Sequence, residues 1–235
     1  MALNDYISKD LLKKYEFYSY NHAIEIITQA FPEEWSEITS CLKRLDITVA
    51  DLREAGGNET KIPKKFDDAL YPHHWREIRI SGDLHIKFFP RQADQRGRFA
   101  TEPFEERVIG GYIDGHNIDF LKNRIAFDLE WNSKDQTFDR DLLAMRTYYE
   151  CDVVSAGIII TRAKNLNDVF RTIRDENDKP IMRKYGASTT WMGKLLPRLE
   201  SRRNGGCPIL AVGITKACIS DWMEDCGDGS IRSND

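Results

Sequence analysis

The second half of the chain contains three apolar runs of strand length, and they limit the possible fold more than any other feature. They are "IAFDLEW" at 125–131, "DVVSAGIIITR" at 152–162 and "CPILAVGIT" at 207–215. Helix-like segments, "FDRDLLAMRTYYEC" and "NLNDVFRTIRDEN", lie between successive runs. The order strand, helix, strand, helix, strand predicts an α/β core.

The first half has a different pattern. The segments "YNHAIEIITQAF" and "PEEWSEITSCLKRL" have apolar residues three and four apart, and Pro32 suits the start of a helix. We therefore predict a helical region through about Leu52. A further short helix ends near Tyr71 and Pro72, "IRISGDLHIKFFP" is a strand, and residues 91–106 form a surface loop.

Composition excludes several classes of protein. The chain has 235 residues and five cysteines without the spacing of a disulfide framework or zinc site, so the cysteines are expected to be reduced. No signal peptide or membrane span is recognisable, and we expect a cytoplasmic location. The lack of a Gly-rich phosphate loop and of a Gly-x-Ser-x-Gly motif argues against a nucleotide cofactor and against serine chemistry.

Charge is distributed unevenly along the chain. The net charge of −4 argues mildly against a nucleic-acid partner. Residues 183–206, however, contain six basic residues and one acid, Glu200. This stretch is either a solvated helix face or a phosphate-binding surface, and charge alone does not separate the two.

Two acids stand on one face of the first strand. Asp128 and Glu130 are two residues apart, so they point the same way at a separation of about 6–7 Å, and Asp119 precedes them across a bend or in a preceding strand. A solvated face of an edge strand would have the same pattern. A partly buried group of this kind repels itself unless a cation or a proton is present. Three such acids are also the oxygen ligands that hold Mg²⁺ near a phosphodiester.

These residues resemble the metal-dependent PD-(D/E)xK nuclease core, and more closely the type II restriction endonucleases of the BglII and BstYI group. The segments "YNHAIEIITQAFPEEWSEI", "LYPHHWRE", "IDFLKNRIAFDLEW", "AGIIITRAK" and "CPILAVGI" occur in the order that this group uses, across residues 20–215. The resemblance implies a restriction-endonuclease-like α/β fold with a central mixed β-sheet flanked by helices. It also implies one endonuclease domain over 1–235, with N-terminal helices at about 10–55, a catalytic core at about 75–220 and a flexible tail at about 226–235.

The resemblance assigns roles to the acids. Asp119 and Asp128 would be catalytic metal ligands together with the carbonyl of Leu129, and Glu130 would stand where the superfamily has a catalytic Lys. Two positions depart from the pattern, because Ile118 replaces the motif proline and Asp128 is shorter than the usual Glu. Glu130 resembles the BamHI-like variant, whereas the closer relatives have Gln. It would bind a second cation or accept a proton from water, and the sequence does not choose between these roles.

Two loops are candidates for contact with DNA. One is the "NSKD" segment, which follows the acidic strand and would reach the major groove; it consists of Asn132, Ser133, Lys134 and Asp135. Lys134 is alternatively a phosphate clamp or part of a plain polar loop. In "KYGASTTW" the hydroxyls of Ser188, Thr189 and Thr190 would read base edges, or a threonine would cap the next helix. The predicted phosphate contacts are Lys184, Lys194 and Arg198.

The sequence therefore predicts a homodimeric, Mg²⁺-dependent endonuclease that cuts double-stranded DNA at a short palindromic site. Two alternatives stay open. One is a repair or mobile-element nuclease that cuts by DNA structure, and the other is a DNA-binding relative without catalysis.

Overall fold

The computed structural model describes residues 3–53, 61–92 and 97–222. The helices are α1 (Lys9–Lys14), α2 (Ala23–Ala30), α3 (Pro32–Arg44), α4 (Val49–Arg53), α5 (Lys61–Leu70), α6 (Thr137–Glu150), α7 (Leu166–Thr172) and α8 (Met192–Glu200). The strands are β1 (Tyr15–Tyr20), β2 (Arg76–Arg79), β3 (Gly82–Phe88), β4 (Glu105–Ile113), β5 (Asn117–Lys122), β6 (Ile125–Glu130), β7 (Ala156–Arg162) and β8 (Ile209–Ile214). The predicted flexible tail at 226–235 lies outside the described residues.

A mixed sheet forms the centre of the larger compact unit, which comprises the described residues within 1–77 and 118–235. Its strand order is β1-β8-β7-β6-β5-β2. Strands β6, β7 and β8 are parallel, whereas β1 runs antiparallel to β8 and β5 antiparallel to β6. The predicted α/β fold with a mixed sheet flanked by helices is confirmed.

The three predicted core strands are completely buried. Every residue of β6, β7 and β8 is buried, as expected for parallel strands covered by helices on both faces. In β6 the alternating residues Ile125, Phe127 and Leu129, followed by Trp131, join the main hydrophobic core. The acids of β6 therefore point to the opposite face of the sheet from this core.

The N-terminal region is only partly helical. The two predicted amphipathic helices are present as α2 and α3, and α3 begins at Pro32. The prediction was wrong at residues 15–20, where β1 pairs along its full length with β8. The local sequence "YEFYSY" did not reveal this strand, because its partner lies near the other end of the chain.

The smaller compact unit comprises residues 78–117. Its strands β3 and β4 form an antiparallel two-stranded sheet, with an irregular register between Gly82 and Leu84. Strand β4 was not predicted from the sequence, and the surface loop expected at 91–106 ends where β4 begins. Nearly all residues of β4 are exposed, so the strand lacks the buried apolar alternation that identifies one.

Candidate active site and nucleic-acid interface

Strands β5 and β6 bring Asp119 and Asp128 together. The backbone amide of Asp119 donates to Asp128 Oδ1 at 2.9 Å, and the amide of Leu129 donates to Asp119 Oδ2 at 2.9 Å. Each carboxylate is thus held by the backbone of the opposite strand. Asp128 is 3% exposed, and its Oδ2 has no hydrogen-bond partner among the described residues.

Glu130 lies at the end of β6 and is also buried. Its Oε2 accepts a hydrogen bond from the hydroxyl of Thr137 at 2.9 Å, at the first residue of α6. This contact orients the Glu130 carboxyl group toward the α6 side of the strand. The alternation of β6, which the sequence predicted, places Glu130 on the same face as Asp128.

Asp141 is a fourth acid at this site, and the sequence interpretation missed it. It lies on α6 with a 2% exposed side chain, and it forms a hydrogen bond with Glu130. It belongs to the buried face of α6, where Phe138, Met145 and Tyr148 are the apolar members at helical spacing. An acid within an apolar helical stripe was the signal that would have identified it.

The pKa values show how strongly these acids interact. Burial raises the pKa of Asp119 to about 6, and the charge of Asp141 adds to the rise while the Leu129 amide opposes it. Burial, followed by the charges of Asp141 and Asp119, holds the pKa of Asp128 well above its usual range. Burial and Asp141 raise the pKa of Glu130 to about 8, against the opposing hydroxyls of Ser133 and Thr137. Burial first, and then the repulsion among uncompensated negative charges, favours the protonated forms of these acids.

The acids supply the carboxylate oxygens that a divalent cation binds, but they are not arranged as a complete set of ligands around one position. In the described part of the chain, no three His, Cys, Asp or Glu side chains are already grouped around a position for a metal ion. Carboxylate oxygens are nevertheless the ligands that Mg²⁺ prefers, and Mg²⁺ usually keeps several waters. The buried Asp128 Oδ2, which has no hydrogen-bond partner among the described residues, fits a role as one such ligand.

The two predicted DNA loops are joined to each other. We name residues 131–136 the post-β6 loop and residues 184–191 the pre-α8 loop. The amide of Thr190 donates to Ser133 O at 2.9 Å, and the amide of Asp135 donates to Ser188 O at 2.8 Å. An isolated antiparallel bridge pairs Lys134 with Thr189. The two loops thus form one small paired structure, which the sequence did not predict.

The hydroxyl residues of the pre-α8 loop differ in exposure. Ser188 is exposed, whereas Thr190 is completely buried. The Thr189 hydroxyl donates to Gly186 O at 2.7 Å and accepts from Arg162 at 2.6 Å. The alternative role as a helix cap is wrong for both threonines, because the N-cap of α8 is Trp191, which makes no side-chain capping bond.

The chain matches the family model described as restriction endonuclease BglII/BglIII over residues 15–214. The chain belongs to this family. The match includes the acids, both loops and α8, and it supports a nuclease that acts on DNA. A comparison with curated proteins returned no significant match. None of the described helices of this BglII/BglIII family member has the length and apolar character needed to cross a membrane.

The basic residues of this family member have internal partners. Arg198 donates from Nε and Nη2 to the two carboxylate oxygens of Asp139 at 3.0 Å, and Arg203 also pairs with Asp139. Lys194 lies 3.4 Å from Asp135. Lys184 lies over the ring of Tyr185. On the post-β6 loop, Lys134 is exposed and Asn132 is partly buried. The positive charge of 183–206 is therefore partly neutralised by acids of α6 and of the post-β6 loop.

Proposed function

We propose that the protein is a Mg²⁺-dependent type II restriction endonuclease that hydrolyses both strands of duplex DNA at a short palindromic site. The observation that carries the proposal is the pair Asp119 and Asp128, held across two strands by reciprocal backbone hydrogen bonds beside Glu130. The family supports the nuclease activity, and the acids support the metal dependence.

The chain's own residues suit a direct hydrolysis. Asp119, Asp128 and the carbonyl of Leu129 would hold Mg²⁺, which supplies stabilisation of the charge that develops on the phosphate and leaving oxygen. Glu130 orients the attacking water or accepts its proton. The second role needs the carboxylate form, which a bound cation would favour over the metal-free group, whose pKa is raised to about 8. The Thr137 hydroxyl fixes the direction of the Glu130 carboxylate. No covalent enzyme intermediate is required.

A homodimer in the cytoplasm completes the proposal. A palindrome has two-fold symmetry, so two copies of the chain would present the same acids to each strand. The joined post-β6 and pre-α8 loops would lie over the bases between the two cuts. This placement accounts for their position next to the acidic strand β6.

Digestion of a plasmid with Mg²⁺, followed by sequencing of the ends, tests the proposed function. We expect discrete bands whose ends share one palindromic sequence and a fixed stagger. Cleavage confined to branched substrates would instead indicate a structure-specific nuclease. Retardation of DNA without cutting would indicate a non-catalytic binding protein, and either result would contradict the proposal. Asp128→Asn serves as the matched control for a contaminating nuclease.

A further inference from the structure

Arg162 is a completely buried arginine at the last position of β7. Its Nε donates to Trp131 O at 2.8 Å, and its Nη2 donates to the Thr189 hydroxyl at 2.6 Å. The guanidinium carbon lies 5.0 Å from the ring centre of Tyr185 and 5.4 Å from that of Phe170. Trp131 begins the post-β6 loop, and Thr189 belongs to the pre-α8 loop, so one side chain contacts both.

The burial of this charge is unfavourable for stability. Burial lowers the pKa of Arg162 to about 10, so the side chain is still charged at neutral pH. Removing a charge from water costs several kcal/mol, and well-packed apolar replacements of buried ions are often as stable or more stable. The aromatic rings offset part of this cost. A need for stability does not explain why an arginine is placed here.

Hydrogen bonds around this arginine are also incomplete. Arg162 Nη1, Asn132 Oδ1 and Thr190 Oγ1 are buried atoms without a hydrogen-bond partner among the described residues. All three belong to Arg162 or to the two loops that it contacts. Buried unsatisfied groups are rare, and positions that break the rules of stable packing are typically functional.

We propose that Arg162 is a positioning residue that fixes the register between the post-β6 loop and the pre-α8 loop, and thereby the discrimination between DNA sequences. The inference rests on the proposed function. The planar guanidinium donates in two directions at fixed angles, whereas a lysine ammonium at the end of a flexible chain does not reproduce this geometry. The bonded loops present Ser188 and Lys134 at the surface beside the acidic strand.

Two readouts on the same variants test the proposal. The variants are Arg162→Met, which removes the charge at similar volume, Arg162→Lys, which keeps the charge, and Thr189→Val, which removes the acceptor. Arg171→Met is the control, because Arg171 is exposed on α7 and pairs locally with Asp168 on the same helix. Hydrogen exchange of the Thr190 and Asp135 amides reports the bonds between the loops. The ratio of kcat/KM for the cognate site to that for sites altered at one base pair reports discrimination.

We expect faster exchange of both amides for all three variants. We also expect a loss of discrimination of about tenfold or more, which is comparable to the effect of one wrong base pair. Random-DNA affinity and the Mg²⁺ dependence of cleavage should stay unchanged in the two Arg162 variants, which a general loss of folding would not permit. Unchanged exchange would show that Arg162 does not hold the loops together. Faster exchange with wild-type discrimination, or full discrimination in Arg162→Lys, would also overturn the proposal. If the wild type itself shows no site preference, the proposed function and the role in discrimination both fail, and exchange still shows whether Arg162 joins the loops.

Discussion

Asp128 and Glu130 of β6 and Asp141 of α6 are buried, and Asp119 of β5 lies partly buried beside them. Burial, followed by the repulsion among these acids, dominates the chemistry of the individual residues of the site. Three of them are identifiable in the sequence, because strand periodicity places Asp128 and Glu130 on one face and Asp119 precedes them. For Asp141 the sequence shows only an acid within an apolar helical stripe, because its approach to Glu130 depends on how α6 packs on the sheet. The shift of three pKa values toward the protonated state follows from this packing.

Glu130→Gln tests the residue whose role the sequence leaves open between water activation and binding of a second cation. If Glu130 accepts the proton of the attacking water, we expect cleavage to slow by about 10²–10⁴-fold, the usual size of a general-base effect. Single-turnover cleavage of a plasmid measures the rate, and a Mg²⁺ titration of both proteins shows whether a second cation is lost. Cleavage at the wild-type rate would show that Glu130 is neither a base nor a ligand.

Asp141→Asn tests the repulsion among the acids. We expect the metal-free variant to gain about 1 kcal/mol or more in free energy of unfolding, because one pKa unit of repulsion corresponds to about 1.4 kcal/mol. Urea denaturation in EDTA measures the gain, and Mg²⁺ should reduce it because a cation offsets the same repulsion. Glu150→Gln, on an exposed turn of α6, is the control. A loss of stability in EDTA would show that Asp141 is held mainly by favourable contacts.

Among the helices and strands, those with a local apolar pattern could be predicted from the sequence, and those that depend on pairing with a distant segment could not. Strands β6, β7 and β8 and helices α2, α3 and α6 are visible in local apolar patterns, and they are confirmed. Strand β1 depends on pairing with β8, and β4 depends on pairing with β3, so neither has a sufficient local signal. The hydrogen bond between Thr190 and Ser133 also joins segments that are distant in the sequence, so it could not be predicted, although both loops were identified as candidates for contact with DNA.

The start of α4 gives a prediction about pH. Asp51 Oδ2 accepts from the amide of Thr48 at 3.0 Å and from Lys65 Nζ at 2.7 Å, while Thr48 Oγ1 accepts from the Asp51 amide at 3.2 Å. Burial acts to raise the pKa of Asp51, but the hydrogen bonds from Lys65 and Thr48 outweigh burial and lower it. Since the folded-state pKa lies below the unfolded value, the ionised Asp51 stabilises the fold above about pH 4, and the contribution disappears as pH falls through the folded-state pKa.

Asp51→Asn should therefore cost about 1 kcal/mol at pH 7, the typical value of a helix-capping side chain. The difference from wild type should shrink below about pH 4. Urea denaturation at a series of pH values measures both proteins, and Asp10→Asn, at an exposed position of α1, is the control. A difference that stays constant down to pH 2 would contradict the role of the ionised carboxylate.

At the scale of the whole molecule, binding to DNA has to overcome a net charge of −4. In the proposed function, local positive charge would provide the attraction, and the internal pairs of Arg198 with Asp139 and of Lys194 with Asp135 would limit it. In the proposed function, exposed hydroxyls such as that of Ser188 would add selectivity rather than attraction, because base edges carry the sequence information. The two effects are separable by mutation.

Lys194→Ala and Ser188→Ala should have different effects on DNA binding. We expect Lys194→Ala to weaken binding to cognate and random duplexes about equally and to reduce the salt dependence. Ser188→Ala should cost about 1–3 kcal/mol for the cognate site and much less for random duplex. Fluorescence anisotropy over a range of salt concentrations measures both. An equal loss on the two DNAs for Ser188→Ala would assign that hydroxyl to the backbone.

We propose that Asp119 and Asp128 hold the divalent cation that drives cleavage, and the Mg²⁺-dependent cleavage rate of Asp128→Asn is the decisive measurement of this role. We predict that the variant retains or increases its affinity for DNA, since a negative charge near phosphate is removed. We also predict that it cuts plasmid at less than about a tenth of the wild-type rate at every Mg²⁺ concentration. This is a loss of more than about 1.4 kcal/mol in transition-state stabilisation. A folded Asp128→Asn protein that cuts faster than this, with the same Mg²⁺ dependence as wild type, would contradict the account.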